Sequence, residues 1–275
     1  MNCKIIGSLS IAFAFLILFA CGKNDSTTSQ ARAADLAKTQ NQVKGKTSSQ
    51  AQFAPESANE AIAQAQQNGD FLFMLFYEKK DDSLQEMQKT LQDFSKKSAK
   101  AIRIYDALTT DDKESDVIQK YGINRAPLPV LLVFAPNGAI TGGYPQTVTE
   151  EQLAGSMAPK LVMNILKTVQ AGKIALVLLQ NDKTKNNAEM TQSAAEFAQD
   201  QRLAGYVDIL KQDPDDAEIK DFLAQCKIKE NIDEAATVLI VPPGQIGGVY
   251  SGKITKETLI AGLSSCSGGS CCGPR

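Results

Sequence analysis

The chain contains no histidine and no tryptophan. Without histidine there is no imidazole base, no Ser-His-Asp or Cys-His relay and no imidazole metal ligand. Excess charge of one sign is missing too: 29 basic residues stand against 31 acidic ones, with an isoelectric point near 5.4. There is no basic patch to track a phosphate backbone, which argues against nucleic acid as a partner. The apolar run at the N-terminus, Ile11 to Ala20, is ten residues long, well short of the ~20 that cross a bilayer.

What the N-terminus does have suits export. Lys4 is the only charge before Cys21, and the run IAFAFLILFA ends at the small residue Ala20. That is the layout of a signal peptide, residues 1–20. Leu18-Phe19-Ala20-Cys21 resembles the bacterial lipobox. The resemblance implies cleavage before Cys21, lipid on its sulfur, and a protein held on a membrane through that anchor, facing the periplasm. Several acyl chains at ~0.8 kcal/mol per buried CH₂ hold firmly. Gly22, not Asp, follows the cysteine, and by analogy with enteric bacteria this points to the outer membrane. From the lipidated cysteine through residue 52 the chain is Ser, Thr, Gln, Lys, Asn and Ala with almost no large apolar residue. Such a segment buries too little surface to offset its ordering entropy and reads as a flexible linker, 21–52.

Beyond the linker the sequence repeats itself. Gly69, Met87 and Phe94 recur at one constant spacing as Gly172, Met190 and Phe197. Asp106-Ala-Leu matches Asp208-Ile-Leu, and Tyr121-Gly-Ile matches Cys226-Lys-Ile. Val130-Leu-Leu-Val-Phe-Ala-Pro matches Thr237-Val-Leu-Ile-Val-Pro-Pro, and Thr149-Glu-Glu-Gln-Leu matches Thr255-Lys-Glu-Thr-Leu. Matches in preserved order predict two tandem homologous domains, 53–168 and a divergent 169–263. In the first, helical spacing over Ala58–Gln67 and Ser83–Lys97 alternates with short apolar runs at Phe71–Tyr77, Ala101–Asp106 and Val130–Phe134. A short helix at Lys113–Lys120, a turn at Pro136-Asn137-Gly138, a strand at Ala139–Tyr144 and a closing helix at Glu150–Met163 complete the unit. The order α-β-α-β-α-β-β-α predicts an α/β fold with a central mixed sheet flanked by helices.

That order, with the stretch Tyr121-Gly-Ile-Asn-Arg-Ala-Pro-Leu-Pro129-Val-Leu-Leu-Val-Phe-Ala-Pro-Asn-Gly, resembles the thioredoxin fold. The resemblance implies a cis peptide at Pro129 and a peptide-binding groove along Ala126–Val130, with Leu128 and Val130 either groove contacts or core. In the second copy the proline position falls on Ala236, where a trans bond is expected because a cis bond before a non-proline costs ~2.5–4 kcal/mol. Thioredoxins use Cys-x-x-Cys at the start of the second helix. Matching Phe76-Tyr77 to the family places Asp81 and Leu84 at those cysteines, and the second copy reads Gln180-Asn-Asp-Lys-Thr-Lys-Asn-Asn there, again without cysteine. Asp81-Asp82-Ser83 is good helix-cap chemistry. With neither thiols nor imidazoles, the usual chemistry is missing, which argues against an enzyme. A redox-inactive, protein-binding or scaffold role with an envelope protein as partner is what remains.

The cysteines are concentrated elsewhere. Cys266, Cys271 and Cys272 lie in the last ten residues, the Cys/Gly/Ser-rich tail 264–275. An exported chain lives where disulfides form, so a structural disulfide among them, or with Cys226, is one reading. A site for a thiophilic metal ion such as Cu(I) or Zn is a second. A mobile dithiol that exchanges with a partner is the third, and it would make the protein a thiol-disulfide oxidoreductase working through its tail. Cys226, matching Tyr121 at the end of a short helix, is expected to be a buried structural residue.

Overall fold

The computed structural model describes residues 53–266, with side chains through Leu263. The signal peptide, Cys21, the linker, Cys271 and Cys272 lie outside the described residues. Helix α1 (Ala58–Asn68) starts at Ser57, whose hydroxyl accepts the Glu60 N–H, and ends at Gly69, whose φ of 73° closes the last turn. It buries Ala58, Ala61 and Ala65, small residues that let it lie close on the sheet. Strand β1 (Phe71–Tyr77) is buried along nearly its whole length, as expected of a central strand without a polar face. Helix α2 (Asp82–Lys97) buries Leu84, Met87 and Leu91, and Phe94 stacks on Phe73 at 6.0 Å. Strand β2 (Ile102–Leu108), helix α3 (Ser115–Tyr121), strands β3 (Val130–Phe134) and β4 (Ile140–Pro145) and helix α4 (Glu150–Ser156) follow. A 3₁₀ turn, Asp112–Glu114, leads into α3.

The sheet order is β2-β1-β3-β4, with β1–β2 parallel and the other two pairings antiparallel. Leu72, Met74 and Phe76 point to one face, where they meet α1, Val117 of α3, Val130 and Phe134. Alternation sends Phe71, Phe73 and Leu75 to the other face, towards α2. At ~1.5–3 kcal/mol for each large side chain fully buried, this strand alone contributes much of the driving force for the first unit.

The second unit repeats the plan. Helix α5 (Lys160–Gln170), β5 (Ile174–Leu179), α6 (Asn187–Ala198), β6 (Val207–Gln212), α7 (Lys220–Gln225), β7 (Ala236–Val241), β8 (Gln245–Ser251) and α8 (Lys256–Cys266) form a sheet of order β6-β5-β7-β8 with the same strand directions. Ala175, Val177 and Leu179 meet α5 and α7, and Leu176 and Leu178 meet α6 and α8. The expected closing helix Glu150–Met163 is two helices instead. Pro159 has no N–H to donate and disfavours helical geometry in the residue before it, so α4 ends at Ser156 and α5 begins afresh at Lys160. Leu161, Ile165 and Val169 of α5 pack into the second core. The second unit therefore begins with α5, ahead of the 168/169 division read from the sequence, and α8 carries helical backbone three residues into the expected tail, as far as Cys266.

Helix α5 also faces the first unit. The Gln170 side chain donates from Nε2 to Ile140 O at 2.7 Å and accepts the Ile140 N–H at 2.9 Å. Its amide pairs with edge strand β4 as a neighbouring strand would. Asn137 Nδ2 donates to Asn164 Oδ1 at 3.2 Å beside it.

Two details repeat with altered chemistry. Asp70 and Arg103 form an ion pair at 2.7 Å across the start of β1 and β2. The equivalent positions, Lys173 and Asp208, form one at 3.0 Å with the charges exchanged. Tyr144 lies back over Gly142, where any Cβ would meet its ring at 2.7 Å, and its hydroxyl sits 2.6 Å from Ser156 Oγ of α4. Tyr250 covers Gly248 in the same way and closes on Gly262 of α8.

Candidate functional site: the corner before β3

The C-terminal end of β1, the turn Glu78–Asp81 and the loop Ala126–Pro129 form one corner of the first unit. Asp81 is extended and exposed, and its Oδ1 accepts the Leu84 N–H at 3.0 Å. Leu84 is 2% exposed. Of the two positions expected to replace cysteines, one caps the helix and the other belongs to the core. The Leu128–Pro129 peptide is cis, the conformation the resemblance implies. Pro129 is buried, and its carbonyl accepts the Gln146 N–H at 2.6 Å. Val130 is 4% exposed and sits in the core, so it offers no side chain to a groove. Leu128 is half-buried against the same core, with exposed Pro127 before it. Among the described residues the Leu128 N–H has no hydrogen-bond partner. The corner thus presents a main-chain donor beside a partly open apolar side chain, the elements of strand-like recognition.

The sequence match needs two adjustments in the second unit: Asp208 answers by strand register to Arg103 and not to Asp106, and the other lies at this corner. Val130 pairs with Phe76, and Ala236 pairs with the equivalent Leu179. The residue in the Pro129 position is therefore Ala235, one before the expected Ala236, and neither is preceded by a cis bond. The slip arises because the two apolar runs look alike at either register. Thr184 and Asn187 take the places of Asp81 and Leu84, and Thr184 Oγ1 lies 2.7 Å from Asn187 Oδ1. Lys185, between them, donates its N–H to Asp233 O at 2.9 Å and accepts the Ala235 N–H at 2.9 Å. This second corner is bonded to itself, a feature sequence reasoning missed.

Other polar groups have structural partners. Glu114, fully buried, accepts the Ala58 N–H at 2.8 Å and the Tyr105 hydroxyl at 2.6 Å. Burial, and then the Glu114 carboxylate, hold the Tyr105 phenol well above the ordinary tyrosine value. Desolvation by the surrounding protein pushes the Asp106 carboxyl up, opposed by the hydrogen bond it accepts from Gln88 Nε2 at 2.6 Å. Cys226 is buried at the end of α7 in the second core. Among the described residues no three Cys, Asp or Glu side chains converge as metal ligands, and no helix is long and apolar enough to cross a membrane.

Strand order, strand direction and helix placement define the class of both units: tandem thioredoxin-like α/β domains. No family model and no curated protein matches the chain. Among solved structures the chain is similar to Fasciola hepatica thioredoxin, at 12% identity over 37% of this chain and 91% of that one, TM-score 0.30. It is similar to the first two thioredoxin domains of Saccharomyces cerevisiae Eps1p, at 12% identity over 76% and 97%, TM-score 0.29. Human ERp44 gives 11% identity over 77% and 56%, TM-score 0.31.

Proposed function

We propose that this is an exported, lipid-anchored cell-envelope protein whose first thioredoxin-like unit binds extended segments of partner proteins without thiol chemistry. The observation that carries the reading is the corner before β3. Where thiols would stand it has a helix cap, Asp81, and a core residue, Leu84, while the Leu128 N–H stays unpaired among the described residues. Binding energy there comes from backbone hydrogen bonds and the half-buried Leu128. Cys21 supplies the anchor and residues 22–52 the reach, which suits a protein that meets partners at a membrane surface.

A photocrosslinking residue at exposed Pro127 tests this, with reduced and carboxymethylated α-lactalbumin as a permanently unfolded probe. Crosslinking that a short competitor peptide suppresses is expected. No crosslinking above that from a residue placed at the opposite end of β1, such as exposed Asn68, would sink the reading. The cysteine density of the last ten residues favours a second reading, in which Cys266, Cys271 and Cys272 carry disulfide exchange or hold a thiophilic ion. That reading requires disulfide reduction, or stoichiometric Zn or Cu(I) binding, that disappears when the chain is truncated after Leu263.

A further inference from the structure

Resting on the groove reading of the first unit, we propose that the equivalent corner of the second unit is latched shut by its own backbone, so that each chain offers one binding corner and not two. The latch follows from one change of residue. Pro129 has no N–H, whereas Ala235 in its place has one. Ala235 is fully buried, and a buried amide needs an acceptor. The Lys185 carbonyl supplies it at 2.9 Å, and the Lys185 N–H returns a second bond to Asp233 O at 2.9 Å.

Lys185 is available because α6 starts late. Helix α2 begins at Asp82, five residues before Met87, while α6 begins at Asn187, three before the equivalent Met190. Lys185 stays outside the helix and pairs as a short parallel bridge with Glu234. Asn186 makes the corner between bridge and helix. Its φ of 63° lies in the left-handed region, which asparagine tolerates better than most residues, and its Nδ2 reaches Glu234 Oε1 at 3.3 Å. Gly252 leaves room for that carboxylate, since a Cβ there would lie 2.7 Å from Glu234 Oε2, and its N–H secures the Ala235 carbonyl at 2.9 Å. A ligand strand entering between the two segments must displace Lys185, which competes from within the same chain and at no cost in lost translation. In the first unit no backbone hydrogen bond joins turn 78–81 to loop 126–129 among the described residues.

Amide hydrogen exchange on the full chain tests the latch without any ligand. The Lys185 and Ala235 amides should exchange at least roughly tenfold more slowly than the Leu128 amide after correction for intrinsic rates. Asn186→Val, which disfavours positive φ and removes the Glu234 contact, should abolish that protection while the Leu176 and Leu178 amides of β5 keep theirs. Lys185 and Ala235 amides exchanging as fast as Leu128 in the unaltered chain would overturn the latch. A photocrosslinking residue at exposed Asp233, the counterpart of Pro127, whose side chain takes no part in the latch, should capture carboxymethylated α-lactalbumin only with Asn186→Val, and one at Pro127 in both backgrounds. Capture at 233 with Asn186 unaltered also overturns the latch. Protection at 185 and 235 with no capture at 127 supports the latch and refutes the groove reading of the first unit.

Discussion

Thr237 is fully buried on β7, and its hydroxyl has no hydrogen-bond partner among the described residues. A buried hydroxyl without a partner costs ~1–3 kcal/mol. Its counterpart in the first unit, by strand pairing, is Leu131. Thr237→Val keeps the shape and removes the cost, so the urea midpoint should rise by the equivalent of about 1 kcal/mol. Glu114 presents the opposite case. The second unit has Leu210 and Ile219 where the first has Tyr105 and Glu114. Glu114→Leu alone strands the Ala58 N–H and the Tyr105 hydroxyl and should destabilise by about 3 kcal/mol. Adding Tyr105→Leu should recover part of that loss, because one of the two stranded groups is gone. A double-mutant cycle by chemical denaturation reads the coupling, and additive losses would argue against it. Residues such as these were not legible in the sequence. Thr237 and Glu114 look like ordinary polar positions until the sheet register and the α1 N-terminus are brought together around them.

Elements were legible where one physical signal dominated. The apolar runs FLFMLFY, VLLVF and ALVLL announced the central strands, and Leu84, Met87 and Leu91 announced the buried face of α2. The join between units was misread because the periodicity after Glu150 outweighed Pro159, which forbids a continuous helix. The late start of α6 was hidden for another reason. It answers to the Ala235 amide, far away in the chain, and no local propensity encodes that. The same join carries a prediction. Gln170 substitutes for a missing strand at the β4 edge, so Gln170→Ala should loosen α5 from β4 without unfolding either sheet. Faster exchange at the Ile140 amide, and faster protease cleavage near Met157–Pro159, are the expected signs. Unchanged cleavage would mean that the Asn137–Asn164 contact and the surrounding packing hold the join by themselves.

As a whole, the molecule is one plan used twice, with the corner left accessible in one copy and bonded to itself in the other. Duplication brings a hazard, because two similar sheets forming on one chain can exchange strands, and tandem homologous domains are prone to such misassembly. The exchanged ion pairs bear on it directly. If β1 took β6 as its parallel neighbour, Asp70 would meet Asp208, and if β5 took β2, Lys173 would meet Arg103. Each wrong pairing puts like charges where the right one has a bond, at partly buried positions where repulsion is weakly screened. Lys173→Asp combined with Asp208→Arg would give both copies the same polarity. The folded chain should keep nearly its original stability, yet rapid refolding should yield more strand-exchanged dimer on size-exclusion chromatography. An unchanged dimer fraction would show that the charges do not sort the strands. A larger dimer fraction would make these two ion pairs, one of them on the buried Asp70, the means by which a chain with two near-copies of itself tells one from the other.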